Sequence, residues 1–281
     1  MIPEHPLFAD FIKHEGYPDA ARQKRYLPFG YRSLDAGIYA VDLRAVYCFL
    51  VQGRERSGKK NVLKLLLSAA LQKQDAQVYL IDLDGQLKNT AEQLKITCYS
   101  DMKDVFEFLK STVPVFKERN QKKQALMAQG AETEEIAEKM EEEPPIFIFI
   151  TDLASFVKNV YQPPEGVGNI HSYLENITAK GFLHRIYFIA AIHPEHTLSI
   201  SGYRLYQNMA SYRTGVHLGG NVNGQKLFSF GNIPYQEQGK AAKPGLGLTP
   251  SAEDPGTANK IVIPFVKGGF TALAEEKKGR G

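Results

Sequence analysis

Residues 53–61 combine the residue types and the spacing that could bind a phosphate group. Gly53, Gly58 and Lys59 form a G-x-x-x-x-G-K pattern between an apolar run at 46–51 and an amphipathic stretch. A strand, a glycine loop and a helix in this order direct backbone N–H groups and a lysine at a bound anion. The candidate phosphate-binding residues are Gly53, Ser57, Gly58, Lys59, Lys60 and Asn61.

Other features of this segment are unsuited to Mg-ATP. Lys60 occupies the position where a Ser or Thr hydroxyl would bind Mg²⁺, and Glu55 places negative charge beside the phosphate. We therefore expect binding of ATP and Mg²⁺ to be weak or absent. Two interpretations of the loop remain: a site that binds phosphate or sulfate weakly, or a turn that no longer binds a ligand. Arg54 and Arg56 are expected to pair with Glu55. Lys59 is expected to face solvent, so that Lys59→Ala would have little effect on stability.

Polar residues follow the other apolar runs of the chain, at the points where strands would end. Because such ends meet at one edge of a parallel α/β sheet, the edge is expected to carry Lys59, Asp82, Asp84, Asp152 and His193. Asp152 suits the acidic group that holds Mg²⁺ through water in phosphate-loop NTPases, or else it caps the helix that follows. We expect it within one strand of the loop.

No metal site and no general base are predicted at this edge. His193 and His196 are three residues apart, but no third ligand is spaced to complete a zinc site, which favours a turn after a strand. Leu153 follows Asp152 at the position where a hydrolytic ATPase would place a glutamate, and a leucine cannot act as a base.

The elements that must position these residues alternate along the chain. Strands are predicted at 46–51, 77–82, 96–99, 146–150, 185–192 and 214–218, with a hairpin at 27–43 and short strands at 226–230, 245–249 and 260–266. Helices are predicted near 61–70, from an N-cap at Asp101, at 169–180 and at 198–213. This order predicts an α/β fold with a mainly parallel central sheet covered by helices on both faces.

We predict a single domain over residues 1–281. It comprises a lead-in at 1–45, a core at 46–218 and C-terminal strands with a tail at 219–281. A strongly charged helical excursion at 117–143 interrupts the core. Its composition is typical of a solvated helical pair joined near Gly130, and a partner-facing arm is the alternative.

Composition excludes several classes of protein. The net charge of +3 and the absence of Lys/Arg runs interleaved with aromatic residues disfavour nucleic-acid binding. Cys48 and Cys98 lie in apolar stretches and fit reduced thiols better than a disulfide. No stretch approaches the roughly 20 apolar residues of a membrane span.

The ordered motifs resemble the FtsK/SpoIIIE-type ATPases, and more closely the last ATPase domain of the type VII secretion motor, EssC or EccC. The similar segments are F-G-Y-R-S-L-D-A-G, V-Q-G-R-E-R-S-G-K-K-N, P-P-I-F-I-F-I-T-D, I-Y-F-I-A-A-I-H-P and K-P-G-L-G-L-T with K-I-V-I-P-F. The resemblance implies a P-loop NTPase fold of the RecA/FtsK type, in a motor anchored at the cytoplasmic side of the cell membrane.

The departures from that family decide the expected function. Hydrolysing members read G-T-T-G-S-G-K-S, then D-E, then T-Q-R-P, whereas this chain has Arg56, Lys60, Leu153 and Ile192 at the corresponding glycine, hydroxyl, glutamate and glutamine positions. We therefore expect a degenerate ATPase domain that acts in substrate recognition and motor assembly rather than in strong ATP hydrolysis.

The resemblance also implies partners. Secreted helical-hairpin (WXG100-like) proteins and the other ATPase domains of the same motor are expected, with membrane contact only through the rest of a longer polypeptide. One alternative is a working ATPase with an unusual loop, in which Lys59 and Lys60 together carry the phosphate charge. Another is a DNA-translocating relative, which the near-neutral charge disfavours.

Overall fold

Ten strands form one sheet in the computed structural model, which describes residues 2–180, 183–251, 254, 256–268 and 270. The strands are β1 (Tyr26–Arg32), β2 (Ile38–Asp42), β3 (Cys48–Gly53), β4 (Gln77–Ile81), β5 (Thr97–Tyr99), β6 (Ile146–Ile150), β7 (Ile186–Ile192), β8 (Gly215–Leu218), β9 (Leu246–Pro250) and β10 (Ala258–Val262). Their order across the sheet is β2-β1-β10-β9-β8-β3-β7-β6-β4-β5. The predicted tail from residue 271 onward lies outside the described residues.

Helices cover both faces of this sheet. They are α1 (Phe8–Phe11), α2 (Tyr17–Arg22), α3 (Lys59–Leu71), α4 (Lys88–Leu94), α5 (Met102–Ala128), α6 (Thr133–Met140), α7 (Leu153–Tyr161), α8 (His171–Ala179), α9 (Thr197–Ile200), α10 (Arg204–Ser211) and α11 (Tyr235–Gln238). Residues of α1 to α4 pack with one set of strand side chains, and residues of α5, α7, α8 and α10 pack with the other. None of the described helices is long and apolar enough to cross a membrane.

The centre of the sheet is parallel and the flank beyond β8 is antiparallel. The strands β8, β3, β7, β6, β4 and β5 run in one direction, and β9, β10, β1 and β2 pair antiparallel. Every residue of β3, β6 and β7 is buried, because a central parallel strand is covered on both faces. The predicted mainly parallel sheet and the hairpin of β1 and β2 are confirmed.

The charged excursion is docked on the domain. A cap at Asp101, whose carboxylate accepts from Lys103 N at 2.7 Å, begins a single helix that runs to Ala128. A short connection at Gly130 joins this helix to α6, as predicted for a helical pair. However, α6 is not wholly solvated, because its apolar face is buried against Leu126 and its Glu134 pairs with Arg44 of the lead-in.

Two predicted elements near the C-terminal side are wrong. Residues 226–230 form no strand, since the side chain of Gln225 bonds both the N–H and the carbonyl of Phe228 and replaces a strand partner. The apolar alternation there reflects side chains buried in the core, such as Phe230. The helix predicted at 198–213 is two helices, α9 and α10, separated by a turn that contains Gly202.

Candidate functional site

The loop between β3 and α3 has the backbone conformation that an anion site requires. Arg56 and Gly58 both have positive φ angles, 58° and 102°, which turn the chain so that α3 begins at Lys59. The first N–H groups of a helix have no partner within the helix and can donate to a ligand. A Cβ at Gly53 would collide with the Ser57 hydroxyl and lie 3.1 Å from Leu218 Cβ, so a larger residue there would require Ser57 to move.

Lys59 is folded back onto the loop. Its ammonium donates to the carbonyls of Gly53 at 2.6 Å and Arg54 at 2.8 Å, and the side chain is half-buried. Burial lowers the pKa of Lys59, and the charges of Asp152 and Glu55 oppose that change. The expectation of a solvent-facing ammonium is wrong, because the loop supplies its own acceptors.

A cavity of about 690 Å³ opens beside the loop. Its walls include Lys59, Lys60, Asp152, His193 and His196. β7 lies between β3 and β6, so Asp152 is two strand positions from the loop, one more than expected. It still reaches the cavity because both strands end at the same edge.

The other predicted edge residues do not line this cavity. Asp82 is fully buried and its carboxylate accepts from Gln86 N, Leu87 N and the Thr151 hydroxyl at 2.7–2.8 Å, which makes it a structural anchor for the turn after β4. Asp84 is exposed on that turn. The predicted convergence on the loop therefore includes Asp152 and His193 and leaves out both residues of the β4 turn.

The end of β6 offers a helix cap and an apolar neighbour. One oxygen of Asp152 accepts from Ala154 N at 2.9 Å and Ser155 N at 3.2 Å, so the capping alternative describes this carboxylate. Leu153 has no exposed surface and packs in the core, and Ile192 at the end of β7 is 1 % exposed. Neither can accept a proton from water.

His193 and His196 belong to a turn, as the sequence favours. The His193 ring accepts from Glu195 N at 3.2 Å and the chain continues as a 3₁₀ turn, Pro194–His196. Burial, together with the charges of Lys59 and His196, lowers the pKa of His193. Within the described chain, no three His, Cys, Asp or Glu side chains are grouped so that they could hold a metal ion.

The side chain of Asn61 forms hydrogen bonds with the C-terminal segment. Its amide donates to Pro264 O at 2.8 Å and accepts from Val266 N at 2.9 Å. This contact places Phe265 and Val266 in the cavity wall, which the sequence analysis missed. The only signal was the apolar run K-I-V-I-P-F-V, which does not reveal which loop it reaches.

A second cavity of about 590 Å³ adjoins the first. It shares Arg56, Gly58, Asn61 and Phe265 with the loop cavity, and the lead-in closes it because Phe265 N donates to Pro6 O at 2.8 Å. Most of its lining is apolar, from residues 6–7, 218, 244–246 and 262–263. The two cavities together form a groove that is polar at the loop and apolar beyond it.

Glu55 is not neutralised inside the loop. Arg54, Glu55 and Arg56 are all exposed, and the structure has no ion pair between Glu55 and either arginine, all three being described residues. The expected pairing is therefore absent. A phosphate at the loop would meet this carboxylate, since Glu55 lines the same cavity.

The fold is α/β and resembles that of P-loop ATPase motor domains. Among solved structures, the cytoplasmic domain of EssC matches with a TM-score of 0.73 and 18% identity, over 95% of this chain and 48% of that one. Thermomonospora curvata EccC (ATPases 2 and 3), in complex with a signal sequence peptide, matches with 0.65 and 16% identity, over 95% and 44%.

A third solved structure is the pCW3 conjugation coupling protein TcpA with ATPγS, with a TM-score of 0.65 and 18% identity over 100% of this chain and 75% of that one. The chain thus spans about half the length of the EssC and EccC structures. No family profile and no curated protein matches at the level of sequence.

Proposed function

We propose that this chain is a degenerate ATPase-fold domain of a type VII secretion motor, acting in substrate recognition and motor assembly rather than in strong ATP hydrolysis. The single observation that carries the proposal is the fully buried Leu153 beside an Asp152 carboxylate that caps α7. Phosphoryl transfer needs a positioned water and a stabilised metal at this point. Leucine supplies neither.

The loop fits a phosphate and does not fit magnesium. Free N–H groups at the start of α3, the Lys59 ammonium and a cavity of about 690 Å³ suit a phosphate. Lys60 brings an ammonium to the position where Mg²⁺ would need an oxygen. The residues of the loop would therefore have to hold such an anion without a metal ion.

The adjoining apolar cavity favours a rival function, a working ATPase with an unusual loop. Its position next to Gly58 and Phe265 is suited to the base of a nucleotide whose phosphates lie at the loop. Calorimetric titration with ATP, with and without Mg²⁺, separates the two, together with measured turnover. Micromolar Mg-ATP binding with turnover of about 1 s⁻¹ or faster would establish the rival.

A gain-of-function series tests the degeneracy directly. Replacing Arg56 by Gly, Lys60 by Ser and Leu153 by Glu together should produce a Mg²⁺-dependent ATP stabilisation in a thermal-shift assay. The same triple variant with Lys59→Ala should lose it. A large Mg²⁺-dependent shift in the unmodified chain, abolished by Lys59→Ala, would contradict the proposal.

The proposed partners follow from the solved relatives. EccC binds a signal sequence peptide in its solved structure, and EssC and EccC carry several ATPase domains. For this chain we propose secreted substrates of the helical-hairpin type, which the sequence resemblance implies, and sister domains of one longer polypeptide at the cytoplasmic side of a membrane. Enrichment of such secreted proteins by the neighbouring ATPase domains, and none by this one, would contradict a receptor role. We also propose that residues 1–281 form a single domain.

A further inference from the structure

Two buried cations lie at the edge of the sheet opposite the phosphate loop. Lys73 follows α3 and is 6 % exposed, and Arg185 precedes β7 and is 5 % exposed. Both line a cavity of about 90 Å³, whose walls come from the lead-in, the turn after α3 and residues 141–145. Burying a charge is costly unless an opposite charge or several hydrogen bonds compensate it.

Neither cation has a carboxylate partner. No Asp or Glu oxygen of the described residues lies within 4.0 Å of the charged nitrogens of Lys73 or Arg185. Lys73 donates to the carbonyls of Ala21 and Gln23, both at 2.7 Å, which leaves one of its three N–H groups over.

Arg185 is even less well compensated. Its contacts, with Glu143 O, Lys24 O and the Tyr187 hydroxyl, are all 3.4 Å long, near the limit of a hydrogen bond. Arg119, a neighbour with similar burial, shows what full compensation looks like. It donates to three carbonyls at 2.8–3.2 Å and lies 3.8 Å from a Glu143 oxygen.

Four carboxylates line the cavity: its three glutamates already have cations of their own, and Asp75 is exposed and lies more than 4.0 Å from the charged nitrogens of Lys73 and Arg185. Glu141 pairs with Arg44 at 2.6 Å, and Glu143 pairs with Lys122 at 2.7 Å. Glu142 lies 3.7 Å from Lys122. The positive charge of Lys73 and Arg185 is therefore left facing the cavity, which is about three times the ~30 Å³ that a water molecule takes up in the liquid.

We propose that this cavity binds a small inorganic anion, such as chloride, sulfate or phosphate, between Lys73 and Arg185. The anion supplies the missing counter-charge and takes the unused N–H donors of both side chains. The bound anion links the lead-in, the end of α3 and the start of β7, and its binding therefore stabilises their packing. It lies at the opposite edge from the phosphate loop and does not depend on the proposed function.

The test uses Lys59→Ala protein, which removes the ammonium from the phosphate loop and so weakens any contribution of an anion there. Urea unfolding, which adds no chloride, is measured in gluconate and in rising chloride, sulfate or phosphate at constant ionic strength. We expect a saturable rise of the unfolding midpoint with at least one small anion. Adding Arg185→Gln should weaken the apparent affinity at least tenfold. Adding Arg25→Gln, which removes an equal charge paired with Asp42 outside the cavity, should leave it unchanged.

Anomalous diffraction from bromide-soaked crystals of the unmodified protein provides a readout that does not need a stable variant. We expect a peak between the Lys73 ammonium and the Arg185 guanidinium. Equal midpoints in all anions, an equal rise in Arg185→Gln, or a cavity that holds water only in the bromide-soaked crystals would overturn the proposal.

Discussion

Lys73 makes a quantitative prediction about the pH dependence of stability. Burial, with the nearby charge of Arg185, lowers the pKa of Lys73 from the ordinary 10.5 to about 8. Each pKa unit corresponds to about 1.4 kcal/mol, so the buried ammonium costs the folded state about 3 kcal/mol below pH 8. Between pH 8 and 10.5 the unfolded chain holds this proton and the folded chain releases it, so this cost disappears as pH rises.

The perturbation is Lys73→Met, which removes the charge and keeps most of the volume. We expect the free energy of unfolding of the unmodified protein to rise by about 2 kcal/mol relative to the variant between pH 7.5 and 10. At pH 7.5 the variant avoids the buried charge but takes the Lys73 donor from the carbonyl of Ala21, a cost of about 1–3 kcal/mol. The carbonyl of Gln23 also loses Lys73 but keeps a hydrogen bond from Tyr26 N at 3.4 Å. The difference in pH slope is therefore more informative than either value alone.

Urea unfolding in gluconate buffer, monitored by circular dichroism, measures this slope without a small anion in the cavity. The matched control is Lys117→Met, at an exposed position of α5, whose pH slope should equal that of the unmodified protein. The buried tyrosines contribute equally to all three proteins, so they cancel in the comparison. Parallel curves for Lys73→Met and the unmodified protein would refute the reasoning.

Three further predictions concern the loop and its surroundings. Lys59→Ala should lower the free energy of unfolding by about 1–3 kcal/mol, since it removes two charge-assisted hydrogen bonds to the loop. Asp152→Ala should cost about 1 kcal/mol through loss of the α7 cap, and Asp152→Asn should cost little, because an amide oxygen also caps. Asn61→Leu should speed amide exchange at Val266, measured by hydrogen-exchange mass spectrometry.

Each of these has an outcome that would count against it. An unchanged urea midpoint in Lys59→Ala would mean that water replaces the ammonium at the loop carbonyls at no cost, as the sequence alone suggested. An Asp152→Asn variant as unstable as Asp152→Ala would show that its charge, rather than the cap, matters. Unchanged exchange at Val266 in Asn61→Leu would mean that the lead-in alone holds this segment.

The sequence determined the local elements of the site. The glycine spacing and the apolar run before it predicted a loop that opens at Gly53 and a helix near residue 61. In the structure the helix begins at Lys59, directly after Gly58, whose φ of 102° a glycine adopts readily. Apolar runs of strand length predicted the parallel core. The cap at Asp101 followed from one short polar side chain before a helical period.

Tertiary structure decided which groups meet. The contact of Asn61 with Val266 joins residues 205 positions apart, and the pairing of Lys73 and Arg185 in one cavity depends on how the lead-in crosses the sheet edge. The orientation of the Lys59 side chain also depended on the tertiary structure, because a lysine beside a loop either faces water or donates to the loop carbonyls. Periodicity and propensity act over a few residues, whereas these contacts depend on the strand order, which no local pattern encodes.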